Sequence, residues 1–212
     1  MIRSGTHYSE EVFEGVILER TLLETAGFYD CTFSACSFVE TTLDRCRFVN
    51  CVFKRCDLNL LRVPSCSFDG NRFEHSKLMG VNWTKAHWPA TRLRPPFAFS
   101  GCTISHGTFI GLELKEVKIQ DCAAVDVDFR EADLGRADLS GTDFSESIFL
   151  RTNLTEADFT GARNYQIDPS RNTVRKAKFN LPEALSLLYA LDIVLEEPRV
   201  DRFPDLGPLS LG

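Results

Sequence analysis

Apolar residues recur at every fifth position along most of this chain. Counting from Phe13 in steps of five reaches only apolar residues as far as Leu93, and after one extra residue the step resumes at Ile104 and continues to Phe159. The position two residues earlier in each unit takes mostly small residues and holds all 8 cysteines. Neither the helical period of 3.6 nor the strand period of two fits this spacing. The pattern therefore predicts a repeat in which each unit directs one large and one small side chain inward.

A five-residue unit is short enough to form one side of a coil and to turn a corner before the next unit begins. Successive coils of such a chain stack as parallel strands about 4.8 Å apart. The predicted fold class is therefore all-β, a parallel solenoid whose core is built from the inward side chains.

The most regular stretch resembles the pentapeptide-repeat family, whose consensus unit is A-(D/N)-L-X-X. It reads ADLGR from Ala132, followed by ADLSG and TDFSE, with ADFTG further on at residues 157–161. The resemblance covers residues 11–161 and implies a quadrilateral parallel β-helix with four units per coil, so that residues twenty apart lie directly above one another. It also implies a C-terminal α-helical cap, which in this family often builds a two-fold dimer.

The domain organisation follows the repeat. We expect an N-terminal lead at residues 1–10, the β-helix at 11–161, a C-terminal cap at 162–195 and a flexible tail at 196–212. Within the cap, Asn180 is the predicted N-cap of a helix at about 181–195, whose broad apolar side would cover the last coil. Together with the resemblance, its surplus of leucines predicts a homodimer through this helix, with four candidate contacts: Leu185, Leu188, Leu191 and Leu195.

The repeat is interrupted at residues 94–101, RPPFAFSG. The two prolines fix the local backbone and remove amide donors from the stack, so we expect the coil to bulge or a loop to leave it. Two interpretations stay open: a tolerated insertion, and a loop that contacts a partner through Arg94, Phe97 and Phe99.

The cysteines and histidines do not form a chemical site in the sequence. Stacking by twenty places the cysteines in four pairs: Cys31 over Cys51, Cys36 over Cys56, Cys46 over Cys66 and Cys102 over Cys122. Parallel Cα–Cβ vectors suit packing rather than disulfides. Because no CxxC pair, zinc-ligand spacing, catalytic triad or phosphate loop stands out, we expect a cytoplasmic, reduced protein that is not an enzyme and has no metal, cofactor or membrane segment.

The formal net charge of −6 excludes the basic surface typical of a nucleic-acid binder, so direct binding of nucleic acid is not expected. The imbalance lies in residues 121–168, which carry 11 acidic and 4 basic side chains. Stacking pairs Glu116 with Arg136 and Glu131 with Arg151, but it leaves two sides of the coil with only Lys118 as an offset. The carboxylates on those sides form the predicted partner-binding surface: Asp121, Asp126, Asp138, Asp143, Glu146 and Asp158.

Two interpretations of this acidic surface stay open. Asp is the consensus residue before the central Leu or Phe, and a charged surface keeps a rod in solution. Alternatively, the surface imitates phosphates and occupies the basic DNA-binding surface of an enzyme. The layout resembles the Qnr, MfpA and microcin-immunity (McbG) group within the family, which implies binding to DNA gyrase or a related type II topoisomerase and relief of a toxin or quinolone-like poison. The alternative function is an interaction scaffold with an unrelated protein partner.

Overall fold

The structure is a computed structural model that describes residues 2–89 and 94–196. Its strands are short, and all of them pair in parallel to form a solenoid, which confirms the predicted fold class. Position 93 of the repeat and the predicted tail from residue 197 onward lie outside the described residues.

Three parallel sheets form three of the four sides of the solenoid, and isolated bridges join the coils on the fourth. The first contains β1 (His7–Ser9), β4 (Gly27–Tyr29), β7 (Arg47–Val49) and β9 (Ser67–Asp69) in that order. The second runs from β2 (Val12–Glu14) through β5 (Thr32–Ser34), β8 (Val52–Lys54), β10 (Asn71–Glu74) and β11 (Phe97–Ser100) to β12 (Lys118–Gln120). The third pairs β3 (Leu22–Glu24) with β6 (Thr42–Asp44). Isolated parallel bridges continue the stacking elsewhere, as between Asp138 and Asp158.

The core consists of columns of inward side chains spaced by one coil. Phe13, Phe33 and Phe53 are register partners, and all are buried. The ring centroids of Phe33 and Phe53 lie 4.6 Å apart and are nearly parallel, so the aromatic stack follows the spacing of the strands. The fifth-position pattern is therefore the core of the fold, as predicted.

Most described corners are turned by the last residue of a unit, which adopts a left-handed backbone conformation. Arg20, with φ of 52°, and Glu40, with φ of 55°, are examples. The cost of positive φ in residues with a side chain is offset by regular hydrogen bonding to the next coil, where Arg20 N–H donates to the Val39 carbonyl at 2.9 Å. The corner residues point outward, and they carry much of the surface charge.

The cysteines occupy the small inward positions and are all free and buried. The Cys51 thiol, for instance, donates to the Phe28 carbonyl one coil away, with Sγ and O 3.4 Å apart. Burial is the main cause that raises the pKa of both Cys51 and Cys56 to about 12. These thiols are therefore protonated packing groups at neutral pH, since reactivity requires the thiolate.

Of the two interpretations of the interruption, the structure contradicts a loop that contacts a partner through Phe97 and Phe99. Strand β11 pairs Phe73 with Phe99, so the register advances by 26 residues where other coils advance by 20. Phe97 and Phe99 are 1% and 0% exposed, and both pack on Trp83 in the core. Their assignment as partner contacts is therefore wrong, because the chain has already rejoined the stack at residue 97. Arg94 is exposed and forms an ion pair with Asp69.

The solenoid extends beyond both predicted ends. Tyr8 lies in β1 and stacks on Phe28 with ring centroids 5.2 Å apart, so the predicted N-terminal lead already belongs to the first coil. At the other end, Phe179 stacks on Phe159 at 5.0 Å. Units centred on the polar Asn164 and on Pro169 hide this continuation in the sequence, although the five-residue phase is kept.

The C-terminal helix is shorter than expected. Helix α1 spans Leu185–Tyr189, and its N-cap is Ala184 rather than Asn180, whose side-chain oxygen instead accepts from the Gly161 N–H at 2.8 Å. Asp192 has φ of 57°, a conformation that a continuous helix to residue 195 would not contain. Within the described residues, no helix has the length and apolar character needed to cross a membrane.

Candidate functional site

The predicted acidic surface is carried by two adjacent sides of the late coils and the corners that border them. Asp138 and Asp158 precede the inward residues of one column and are bridge partners in neighbouring coils. Asp143 takes the same position on the next side, and Asp121 turns the corner that leads to it with φ of 52°. The solenoid thus brings together carboxylates from successive coils on one region of the surface.

The remaining two predicted residues occupy the following corner. Asp126 and Glu146 have φ of 54° and 59° and lie one coil apart. Asp126 contacts His106 of the preceding coil, with Oδ2 2.9 Å from Nδ1. Glu146 is exposed, and no ion pair to it occurs among the residues that the structure describes.

Two of the six carboxylates are offset by cations that were not expected on these sides. Asp143 Oδ2 lies 3.1 Å from Arg163 Nε, and Asp158 Oδ2 lies 3.0 Å from Lys178 Nζ. Both cations lie beyond residue 161, where the repeat was predicted to stop. The prediction that Lys118 alone offsets these two sides is therefore wrong. The twenty-residue spacing, if continued past residue 161, places Arg163 over Asp143 and Lys178 over Asp158.

Hydrogen bonds from the chain also hold the Asp143 and Asp158 carboxylates in place. Burial by itself would raise the pKa of Asp143, but hydrogen bonds from Ser145 and Asn164 and the charge of Arg163 outweigh it and lower the pKa to about 2. For Asp158, hydrogen bonding from Thr160 is the main cause of a lowered pKa, with a further contribution from Lys178. These two carboxylates stabilise the fold as well as contributing charge.

Asp121, Asp138 and Glu146 remain without an ion pair within the described part of the chain. Asp138 is held by neutral groups only, with Gln120 Nε2 at 2.8 Å and Ser140 Oγ at 2.6 Å from its carboxylate oxygens. Asp121 leans over Gly141, where a Cβ atom would come within 2.2 Å of its Oδ1. We call Asp121, Asp138 and Glu146 the unpaired acidic triad.

Three glutamates on the opposite sides are matched with cations, two of them by the predicted arginines. Arg136 lies 2.6 Å from Glu116, and Arg151 pairs with Glu131. Glu156 has Lys176 at 3.9 Å. Most of the uncompensated charge of the late coils therefore belongs to the two sides that carry the triad.

The Asp143 carboxylate makes the free energy of unfolding depend on pH in the acidic range. Its folded-state pKa of about 2 lies below the ordinary value of 3.8, so its contribution is present above about pH 4 and is lost as the pH falls toward 2. We expect Asp143→Asn to be less stable than wild type by about 1 kcal/mol at pH 7, with a smaller deficit near pH 2. Urea unfolding at the two pH values measures this. A deficit of the same size at both would contradict it, and Asp121→Asn serves as the unpaired control.

The predicted dimer residues lie at the C-terminal end of the described chain. Leu185 is half-buried in α1, whereas Leu188, Leu191 and Leu195 are 36%, 41% and 38% exposed. No group of three or more His, Cys, Asp or Glu side chains within residues 2–89 and 94–196 is placed to hold a metal ion. The acidic sides and the apolar C-terminal segment are therefore the surfaces that remain as candidate binding sites from the sequence analysis.

Comparison with known families agrees with this architecture. A profile of the pentapeptide repeat region matches residues 26–95, and a profile of pentapeptide repeats (8 copies) matches residues 125–162. The chain is a pentapeptide-repeat protein. Among curated proteins, none matches the sequence significantly.

Solved structures include pentapeptide-repeat proteins of the same fold. One trypsin-treated variant of QnrB1, a plasmid-mediated fluoroquinolone resistance protein, is similar with a TM-score of 0.63 and 18% identity over 92% of this chain and 100% of that chain. A second trypsin-treated QnrB1 variant is similar with a TM-score of 0.59 and 20% identity over 91% of this chain and 100% of the other. At these identities the likeness shows a shared fold.

Proposed function

We propose that this pentapeptide-repeat protein binds DNA gyrase or a related type II topoisomerase through its acidic sides and protects the enzyme from a toxin or quinolone-like poison. In this proposal the late coils imitate the charge of a DNA backbone. The protein acts by binding, as a cytoplasmic factor, without catalysis and without contacting nucleic acid itself.

The unpaired acidic triad is the observation that carries the proposal. Asp121, Asp138 and Glu146 come from neighbouring coils and keep their charge free for a partner. On the other sides, by contrast, Glu116 and Glu131 are paired with arginines. An enzyme surface that binds DNA presents Lys and Arg groups to phosphates, and a regular row of carboxylates competes for the same groups. Surface solubility alone does not require the charge to be concentrated on two adjacent sides.

The regular spacing of the solenoid supports the same proposal. Equivalent residues in successive coils are joined by parallel bridges such as Asp138 to Asp158, so outward charges repeat along the axis at the strand spacing of about 4.8 Å. A rigid scaffold holds these charges in place before binding, which lowers the entropy cost of association. The likeness in fold to the fluoroquinolone resistance protein QnrB1 further supports a drug- or toxin-protection role.

The test uses purified protein, gyrase and a gyrase poison in a DNA supercoiling and cleavage assay. We expect the protein to reduce poison-induced cleavage or to change supercoiling by gyrase, with a dependence on salt concentration that marks a charge-driven interface. If it does neither at micromolar concentration, the topoisomerase proposal is wrong. Protection of an unrelated enzyme, or capture of an unrelated partner with gyrase unaffected, would favour the interaction scaffold.

We also propose that the protein is a homodimer through its C-terminal segment. This segment exposes apolar side chains to water, namely those of Leu188, Leu191 and Val194. Val194 is the most exposed of the three, at 85%, and an exposed apolar surface of this kind favours association with a partner. We expect sedimentation analysis to give a dimer for wild type and a monomer for a Leu188→Asp/Leu191→Asp variant. Wild-type protein that sediments as a monomer at tens of micromolar would contradict the proposal.

A further inference from the structure

A surface pocket of about 510 Å³ lies on one side of the early coils, away from the acidic sides of the late coils. Its lining includes the apolar residues Leu60, Leu61, Val63 and Pro64. A pocket of this volume and largely apolar lining is typical of sites for small molecules. The repeat alone does not require such a pocket, since regular coils have flat sides.

Local departures from the repeat form the walls of this pocket. Leu60 turns a corner with φ of 56° and is 50% exposed, and its side chain packs over Gly80, where a Cβ would lie 2.7 Å from Leu60 Cδ2. Gly80 therefore provides the space that Leu60 needs. In the coil that contains Gly80, a 3-10 turn at Trp83–Lys85 is capped by the Asn82 side chain, which accepts from Thr84 N at 3.1 Å.

The charged residues at the pocket are unevenly paired. Glu40 is held by Arg20 through two contacts of 3.3 Å, so its charge is already offset. Arg62 and Lys85 also line the pocket, and both are exposed and form no ion pair with any described residue. The pocket thus combines an apolar lining with two free cations, which suits a ligand that has an apolar body and a negative group.

We propose that this pocket binds an amphipathic carboxylate, a small organic acid with an apolar chain. The chain of the ligand contacts Leu60 and Pro64, and its carboxylate is attracted by Arg62 and Lys85. This binding does not depend on the topoisomerase proposal, because it uses different residues and coils.

The test is isothermal titration calorimetry of the full chain with sodium decanoate, below the concentration at which it forms micelles. We expect saturable binding of decanoate to wild type and binding at least about tenfold weaker for decyltrimethylammonium, which has the same chain and the opposite charge. Equal binding of the two compounds, or no binding of decanoate at millimolar concentration, would overturn the proposal.

Variants locate the binding on the protein. Arg62→Gln/Lys85→Gln should weaken decanoate binding about tenfold, while Arg55→Gln/Lys77→Gln, which changes net charge equally on other sides, should leave it unchanged. Leu60→Asn should weaken binding about fivefold without loss of stability, because Asn tolerates the left-handed corner. If Leu191→Ser weakens binding and Leu60→Asn does not, decanoate binds the C-terminal leucines and the proposal is wrong.

Discussion

Neutralising the unpaired acidic triad with Asp121→Asn, Asp138→Asn and Glu146→Gln should raise the amount of protein needed for gyrase protection about tenfold or more. Each lost charge contact at an exposed interface is worth about 0.2–1 kcal/mol, and three of them together approach the 1.4 kcal/mol of a tenfold change in affinity. The substitutions are nearly isosteric: the amide oxygen at position 138 can keep the hydrogen bond from Ser140, and Gln120 can rotate its amide so that its oxygen accepts from the new NH2 group. The measurement is the titration of poison-induced DNA cleavage by gyrase with wild type and variant.

A matched control separates this local effect from a change in net charge. Glu10, Glu11 and Glu14 are exposed in the first coil and form no ion pair within the described residues. Their triple replacement by Gln changes the net charge by the same amount and should leave protection unchanged. If both triple variants lose protection equally, the position of the charge does not matter and the acidic-side mechanism is wrong.

Asp143 and Asp158 are less suitable for this test, although they belong to the same surface. Each holds a cation of the next coil, Arg163 or Lys178, and each is also hydrogen-bonded by the chain. Their replacement would leave that cation unpaired and would lower stability, so loss of protection could have two causes. The triad is free of this difficulty because its members offset no cation.

The repeat made most of the architecture predictable. Once the five-residue phase is known, inward positions, parallel stacking and the twenty-residue spacing follow, and pairs such as Glu116 with Arg136 can be named in advance. Such pairs can be predicted because most coils share the same backbone hydrogen-bond pattern. The position of a residue within the repeat therefore determines which residues of the next coil it contacts. The paired acids on the opposite sides were predictable for the same reason.

Features that break the repeat were not predictable from its pattern. Two units have Asn164 and Pro169 at the central position in place of a large apolar residue, and the core there is filled instead by Tyr165 and Ile167, which are 2% and 0% exposed. The coil therefore continues to Arg163 and Lys178, whose contacts with the acidic sides depend on that continuation. The pocket at Leu60 likewise arises from a glycine and a 3-10 turn that carry no periodic signal.

The interruption is the clearest case, because the count of residues could not show where the extra ones lie. An insertion of six residues shifts the five-residue phase by only one position, because five of the six make up a whole unit. The sequence was therefore compatible with Phe97 and Phe99 in a surface loop and with both residues in the core. The prolines at positions 95 and 96 were compatible with a bulge of the coil and with a loop that leaves it. The structure places both phenylalanines in β11, where the register is fixed by β10 on one side and β12 on the other.

Phe99→Ala should therefore be among the most destabilising substitutions in the chain. Phe99 is 0% exposed, stacks on Phe73 with ring centroids 5.1 Å apart and meets the edge of Trp83 at 6.0 Å. Removing a fully buried phenylalanine leaves a cavity in a core that cannot collapse without moving the neighbouring strands, which costs about 3–5 kcal/mol. Urea unfolding followed by tryptophan fluorescence and circular dichroism measures the change.

The same variant tests how the solenoid unfolds. Because each coil contacts only its neighbours, a weakened coil in the middle should uncouple the coils before it from those after it. We expect the fluorescence of Trp83 and Trp88, which lie next to the interruption, to change at lower urea than the circular dichroism signal. Ala98→Ser, an outward change in the same strand, should alter stability by less than about 0.5 kcal/mol. If Phe99→Ala is as stable as Ala98→Ser, Phe99 contributes nothing to the core and the loop interpretation of residues 94–101 is restored.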